Sequence, residues 1–579
     1  MKPVSEVAMS AAVPQHTSRT TIDILVRRVR EGSSAWAKLA LTERIRLLED
    51  LRHAYVAIAE PSVRAACEAK GIDPGGPLAG EEWLGGPMVV VRNLRLLSEA
   101  LKDVQKHGAP VIPAKHLRTL EDGRLAARLY PRDRLEGMLL PGTTGEVYFQ
   151  PGVTAANLRE HQASFYRKPH KGRVCAVLGG GNVNSIPPMD CLYKLFVEGT
   201  ACVLKMNPVN AYLGPFLEQA FAPLIARDAL AIVYGGAEEG AQLVHHDAVD
   251  EVHITGSDKT HDALVWGPPG PESDARRQKN EPLLAKHVSS ELGNISPVVV
   301  VPGPYSDGEL RFQADDIAGM VANNASFNCN AAKLLVQPKD WIQRGTLMDR
   351  IQASLGHAPV RRAYYPGAQE RWHQFTDARP NLRLVGNPGE GDLAYALITD
   401  VDPAKTDDRV FRNEPWCTVL SETGLPGSDE PVAFLEAAVA FLNEKVWGTL
   451  NVTLIVHPKT MRDPRVRAAV EKAVRDLRYG TVALNTWPAA SYALGSMPWG
   501  GHPSASPRDI QSGQGWVHNT FMLESIEKAV LRAPLTSLPS PPWVPGHKSM
   551  ATLSRRLMEF EQSPSWWKLP GVALAALRR

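Results

Sequence analysis

Apolar and polar positions change period several times along the chain, and each change marks a structural unit. From Thr21 to about Val104 the period is helical. LTERIRLLEDLRHAYVAIAE repeats apolar residues at steps of three and four, and VVVRNLRLLSEALKDVQ does the same. Strand-like pieces LAARLYPR and EVYFQP follow, with PGTTG supplying turn chemistry between them. From Gly172 onward, short apolar runs alternate with helical stretches. RVCAVLGG, TACVLKM, ALAIVY and EVHIT read as strands. PPMDCLYKLFVEG, LGPFLEQAFAPLIA and EEGAQLVHH read as the helices between them, the first with proline at its start. Connections this short predict a parallel sheet with helices on both faces, which binds ligands beyond the C-terminal ends of its strands. The rhythm returns from Glu291 to about Gly501. There SPVVVV, KLLVQP and LNVTLIVHP are strands, and IAGMVANN and DEPVAFLEAAVAFLNE are helices. Past Gly515 it stops, and PLTSLPSPPWVPG reads as an extended segment lying over the surface. No internal repeat is visible.

Length and composition narrow the classes. A chain of 579 residues is too long for one ordinary core, so two or more domains are expected. With 64 basic and 62 acidic residues the net charge is +2, which gives no global basic field and argues against nucleic acid as a partner. Six cysteines without Cys-x-x-Cys spacing speak against a disulfide scaffold or structural zinc and for a reducing, cytoplasmic setting. The pair His245–His246 reads as a solvated helix end, and no metal site is expected. The first twenty residues are polar and small, fit disorder, and hold no apolar core of a secretory signal. No uncharged apolar stretch approaches the roughly 18 residues needed to span a bilayer. The tail SWWKLPGVALAALRR is too short for that, and Trp566 and Trp567 are expected to pack on the protein's own surface.

Four features carry chemistry. LGGGNVNS follows a strand and precedes a helix, the context of a dinucleotide loop, but Asn184 stands where the last glycine of Gly-x-Gly-x-x-Gly belongs. A tight strand-to-helix turn explains those glycines equally well. EVHITGSDKT is a second such junction, where Gly256 permits close approach and the Ser257 hydroxyl with free amides can hold a phosphate. Cys329 lies between a helix ending near Asn324 and a strand beginning near Lys333, flanked by Asn328 and Asn330, a polar loop setting unlike that of a buried cysteine. Glu291 opens ELGNISPVVVV at the head of a strand, where a lone carboxylate is usually a solvated surface group.

Taken in order, these motifs resemble the aldehyde dehydrogenase superfamily from roughly residue 40 to 530. Asn182 and EGTACVLKMNP are similar to the family's Asn after the first strand and its Gly-Asn-x-x-x-x-Lys-Pro. YGGAEEGAQLVHHDAVDEVHITGS resembles the stretch from a Gly-rich turn to Thr-Gly-Ser. ELGNISP resembles Glu-Leu-Gly-Gly, NASFNCNAAKLLV the nucleophile motif, and NEPWCTVL the Glu-x-Phe-Gly-Pro-Val cofactor motif. LNEKVWGTLNVTLIVH, TVALNTW and PWGGHPSASPRDIQSGQG match the closing segments. There are departures. Ser326-Phe327 replace the usual Gly-Gln, the acid that often follows the lysine is absent around Pro208, and Cys417-Thr418 replace Gly-Pro. A stretch at 152–172 lengthens the approach to the first cofactor strand.

The resemblance implies an α/β, aldehyde dehydrogenase-like fold: two Rossmann-like parallel-sheet domains plus a small β-hairpin oligomerisation element. It divides the chain into an NAD(P)-binding domain at 21–134 and 153–290, the hairpin at 135–152, and a catalytic domain at 291–501. A C-terminal segment, 502–579, completes the oligomerisation element and ends in the Pro-rich tail. The implied reaction is oxidation of an aldehyde to the acid. Cys329 attacks, Asn182 and the Cys329 backbone N–H hold the oxyanion, and Glu291 activates water on the thioester. For the cofactor, NAD or NADP, it implies Lys205 at the adenosine ribose, Thr255, Gly256 and Ser257 at the pyrophosphate, and Glu414 at the nicotinamide ribose with Trp416 beside it. Gly235 and Leu292 complete that set. The partners it implies are a small-molecule aldehyde and further copies of the chain, as homodimer or homotetramer. The alternative is a CoA-acylating aldehyde dehydrogenase or acyl-CoA reductase, where CoA takes the acyl group; a water-activating Glu291 favours hydrolysis.

Overall fold

The computed structural model describes residues 14–426 and 429–578. Two sheets organise the chain. The smaller has five parallel strands, in the order Leu230–Val233, Ala201–Lys205, Val174–Leu178, Glu251–Gly256, His287–Leu292. Val174–Leu178 is buried along its whole length, as the uninterrupted apolar run RVCAVL demands of a central strand covered on both faces. The chain order reverses on either side of this strand, and that reversal opens a crevice at the carboxyl ends of the strands.

The larger sheet has eleven strands. Its centre is parallel and runs from Ile526–Arg532 through Thr481–Leu484, Asn451–Ile455, Pro297–Val300, Leu334–Pro338 and Val419–Leu425 to Tyr395–Ile398. Thr144–Phe149, Leu125–Tyr130 and Leu117–Thr119 extend it antiparallel on one side. Two parallel α/β units are therefore present, as expected.

Several boundaries differ from the sequence expectation. The hairpin is built by Leu125–Tyr130 and Thr144–Phe149, not by residues 135–152 alone. The apolar run LEGMLL between those strands instead opens on a helical turn, Arg134–Gly137, because Asp133 caps it by accepting from Glu136 N at 2.8 Å. Glu291 lies in the last strand of the smaller sheet, near its end rather than at the head of a strand. Within 502–579, Ile526–Arg532 is an interior strand of the larger sheet. Of the twenty N-terminal residues expected to be disordered, 1–13 lie outside the described residues. Thr17 is already fixed by a two-way bond with Tyr234, and a helix begins at Arg19.

The N-terminal helices Arg19–Ala37, Leu41–Lys70 and Val89–His107 pack on the smaller sheet and share its core. The 152–172 stretch joins them through Phe165 and Tyr166, whose rings face the buried Arg44 guanidinium. At the other end of the chain the Pro-rich segment has no regular structure. Its Trp543 donates to Asp316 at 2.6 Å and packs edge-on against Trp487. Two helices follow, Met550–Gln562 and Leu569–Leu577. The first is fastened by Glu561, which accepts from the buried Arg92 at 2.6 Å and from Arg95. Trp566 and Trp567 do not pack on the protein's own surface: they are 56% and 91% exposed. No helix among the described residues is long and apolar enough to cross a membrane.

Candidate active site

The crevice predicted by the strand order is a cleft of about 740 Å³. Every strand of the smaller sheet delivers a side chain or turn to it from its carboxyl end, Leu230–Val233 through the turn at Gly236. Asn182 follows Val174–Leu178, Lys205 ends Ala201–Lys205, Thr255 and Gly256 end Glu251–Gly256, and Glu291 and Leu292 end His287–Leu292. The larger sheet contributes the opposite wall with Cys329, Glu414 and Trp416. Ten of the eleven residues singled out from the sequence thus line one cleft. Gly235 does not line it; its carbonyl accepts from Lys205 Nζ at 2.9 Å, and a Cβ there would lie 2.4 Å from the Glu239 carboxyl carbon. Its role is to shape the turn beneath the lysine.

Cys329 sits in the connection before Leu334–Pro338 and is the one partly exposed cysteine among the six. Its thiol lies near enough to the Glu291 carboxyl for each to shift the titration of the other. Burial, together with the negative charges of Glu291 and Glu414, pushes the thiol well above its ordinary pKa. Glu291 is pushed up to about 8, mainly by burial and then by the charge of Asp190. Trp499 Nε1 donates to it at 3.2 Å. Both groups are therefore held toward their protonated forms near neutral pH.

The segment leading to Cys329 is strained. Asn324, Ala325 and Ser326 adopt left-handed φ of 52°, 53° and 67° in succession. Each such non-glycine residue costs on the order of 1–3 kcal/mol and persists only where its surroundings over-determine it. Here they do. Asn324 N donates to Glu81 Oε2 at 3.1 Å, and Glu81 is itself paired with Arg361 at 3.0 Å. Ser326 thus takes a backbone conformation that glycine, the family's residue, adopts freely.

Glu414 is held by an ion pair of 2.8 Å with Lys333. The same ammonium donates to Asn294 O at 3.2 Å and Asn328 O at 2.6 Å, so it ties the carboxylate to the nucleophile loop. A Cβ at Gly293 would lie 2.1 Å from Glu414 Oε2, so only glycine admits this approach. Trp416 closes the floor with Tyr365, their ring centroids 5.5 Å apart. Sequence reasoning missed Lys333, Asp190 and the structural role of Trp499. It also missed the cations Arg371, Arg409 and Arg412, which line the cleft near Glu414. The last two, three apart in DRVFRNEP, had a visible signal in their nearness to the Glu414 motif.

A dinucleotide is compatible with this surface. Lys205 Nζ spends two protons on Gly235 O and Gly236 O, leaving a third for a ribose hydroxyl. Ser257 caps the nine-residue helix Asp258–Trp266, whose N-terminus faces the cleft and favours an anion. Among the described residues no group of three His, Cys, Asp or Glu side chains is arranged to hold a metal ion.

Known proteins of similar sequence and shape agree with this picture. No protein-family profile matches the chain. N-succinylglutamate 5-semialdehyde dehydrogenase of Novosphingobium aromaticivorans is 30% identical over 175 residues, 30% of this chain and 33% of that relative. 4-Trimethylaminobutyraldehyde dehydrogenase A of Danio rerio is 26% identical over 200 residues, 32% and 34% of the two chains. The chain thus matches about a third of the length of these curated relatives. The solved structures agree over far more. NADP-dependent glyceraldehyde-3-phosphate dehydrogenase of Bacillus halodurans superposes with a TM-score of 0.59 at 17% identity, over 89% of this chain and 91% of that one. An NAD-dependent aldehyde dehydrogenase of Sinorhizobium meliloti gives 0.57 at 17%, over 89% and 86%. The chain carries the fold of the aldehyde dehydrogenases.

Proposed function

We propose that the protein oxidises an aldehyde to the carboxylic acid with NAD or NADP. The observation that carries this is the meeting of Cys329, Glu291 and Asn182 in the same cleft as Lys205, Ser257 and Glu414. Cys329 Sγ bonds to the carbonyl carbon, and its proton passes to the neighbouring Glu291 carboxylate. The carbonyl π pair moves to oxygen, where the Asn182 amide and the Cys329 N–H hold it. NAD(P)+, when bound, supplies the hydride acceptor. Lys205 would hold its adenosine ribose, Ser257 its pyrophosphate and Glu414 its nicotinamide ribose. With that acceptor in place, Cys329 would carry the acyl group as a thioester. Glu291, once it has released the thiol proton to solvent, takes a proton from water, whose oxygen attacks the thioester carbon; the C–S bond breaks, the acid leaves and the proton returns from Glu291 to the Cys329 sulfur. An absorbance assay at 340 nm over aliphatic, aromatic and semialdehyde substrates is expected to show reduction of NAD or NADP. Calorimetry is expected to show at least one of the two binding at about micromolar Kd or tighter. Binding of neither sinks the assignment.

The protein works as a homodimer or homotetramer. Met138 in the hairpin connection, Trp566 and Trp567 before the last helix, and Leu574 and Leu577 on it are exposed, and Leu135 and Leu139 of the same connection share a buried cluster with that helix. Exposed apolar area of this density marks a covered surface, and a second copy is the occupant we assign. Trp567→Ser with Leu574→Ser is expected to lower the mass seen by light scattering by a whole step of assembly. An unchanged mass rejects this face as the contact.

A further inference from the structure

Lys70 is the last residue of the helix Leu41–Lys70, 112 residues before Asn182 and 254 before Asn324. Its ammonium is 4% exposed, and its three protons meet three acceptors on three separate segments. Glu82 Oε1 accepts at 2.8 Å, the main-chain O of Asn182 at 3.1 Å, and Asn324 Oδ1 at 3.0 Å. The acceptors are joined to one another as well. Asn324 Nδ2 donates to the same Asn182 O at 2.9 Å, and Tyr364 OH donates to Asn324 Oδ1 at 2.9 Å. Asn182 Nδ2 donates to Phe327 O at 3.0 Å, two residues before Cys329. One N–H of the Asn182 amide is thereby spoken for, and the plane and direction of the other are fixed.

We propose, on the basis of the Cys329–Asn182 chemistry above, that Lys70 is a positioning residue for the oxyanion site. Its ammonium, neutralised by Glu82, clamps the Asn182 loop to the strained nucleophile loop. The free Asn182 N–H then points at the oxygen of whatever adds to Cys329. A neutral side chain cannot donate three bonds converging from one atom, so the position calls for an ammonium. Glu82 also accepts from Asn184 Nδ2 at 3.3 Å, which fixes the Asn182 loop from its other side. Arg361 and Glu81 brace the start of the nucleophile loop and do not reach Asn182 by any bond among the described residues.

The test uses p-nitrophenyl acetate, which acylates a cysteine through an oxyanion and needs neither cofactor nor aldehyde. The variant is Lys70→Met with Glu82→Gln, which removes both buried charges together. Its p-nitrophenolate burst is expected to slow by about 10- to 100-fold, the usual penalty for a misplaced donor. Alkylation of Cys329 by iodoacetamide, a displacement with no oxyanion, is expected to stay within about threefold. In an Asn182→Ala background the same double change is expected to add less than about threefold, because coupled residues are not additive. Four results overturn the proposal. They are an unchanged burst in the double variant, an equal loss in the Asn182→Ala background, a parallel fall in alkylation, and no burst in the unmodified protein. If the double variant does not fold, Lys70→Arg carries the test, since a guanidinium keeps the charge but cannot converge three bonds from one atom. It is expected to show the same selective loss, and a burst equal to that of the unmodified protein overturns the proposal. A protein that reduces no NAD(P) with any aldehyde would refute the proposed function and leave this readout intact.

Discussion

Cys329→Ala is expected to abolish aldehyde-dependent formation of NAD(P)H, a loss of at least about 10⁴-fold, while cofactor affinity stays within about twofold. No other thiol can substitute. Cys175, Cys191 and Cys202 lie fully buried in the strands and helix of the smaller sheet, and Cys67 and Cys417 are buried too. The cofactor contacts assigned to Lys205, Ser257 and Glu414 do not pass through the sulfur, so binding should survive. Alkylation adds a second readout. Cys329 is expected to be labelled first because it alone is accessible, yet slowly at pH 7, because burial and the neighbouring carboxylates keep the thiol protonated. Its labelling should therefore accelerate as pH rises. Substantial turnover by Cys329→Ala, or labelling that favours Cys175 or Cys202, would remove the nucleophile from Cys329.

The architecture was legible because its signals are local. Short apolar runs separated by short helical stretches leave little choice but a parallel sheet, and the cleft residues follow from the strand ends. What escaped was non-local or polar. The strand His287–Leu292 carries Ser289, Ser290 and Glu291 buried among polar partners, so hydropathy shows no strand there. Ser289 faces His253 at 2.9 Å, and Ser290 accepts from Gln514 N. Those partners lie 36 and 224 residues away, and no local pattern announces them. Glu291 was accordingly placed at the start of the next strand, although it does line the cleft to which the motif order pointed. Lys70 shows the same limit. A lysine closing a helix looks like an ordinary dipole-matching cation, and nothing nearby in sequence points to acceptors at Asn182 and Asn324.

The hairpin and the tail failed for a different reason. LEGMLL has the apolar density of a strand, but Asp133 caps a helical turn and Glu136 is drawn into an ion pair with the buried Arg92. Tertiary pairing overrode the local pattern. In the tail, Trp566 and Trp567 were expected on the chain's own surface, whereas both are exposed and the helix after them turns Val572, Ala575 and Ala576 inward. Leu574 and Leu577 on the same helix stay exposed.

Glu291→Gln is expected to convert steady oxidation into a single turnover. The substitution keeps the shape and the Trp499 contact but removes the base. Acylation of Cys329 and hydride loss should still occur, more slowly, and yield a burst of about one equivalent of NAD(P)H per site. The steady rate should then fall by about 10²–10⁴-fold, the usual contribution of a positioned base. The pH dependence follows from the same carboxyl. With its pKa near 8, Glu291 is a competent base only above that pH. The hydrolytic rate of the unmodified protein should therefore rise about tenfold per pH unit below 8 and level off beyond it. Stability should move the other way. The folded chain favours protonated Glu291, whereas the unfolded chain ionises it near the ordinary value of 4.5. Stability is thus lost as pH rises between 4.5 and 8, and the Gln variant, free of that penalty, should melt higher than the unmodified protein at pH 8–9. CoA supplies the discriminating arm. A thiolate is a better nucleophile than water and needs less help from a base. If CoA were the true acceptor, the unmodified protein would need it for multiple turnovers, and Glu291→Gln would turn over freely in its presence. Pre-steady-state traces of both proteins, each with and without CoA, separate the two. Hydrolysis is refuted by a CoA requirement in the unmodified protein, or by a Gln variant with an undiminished steady rate.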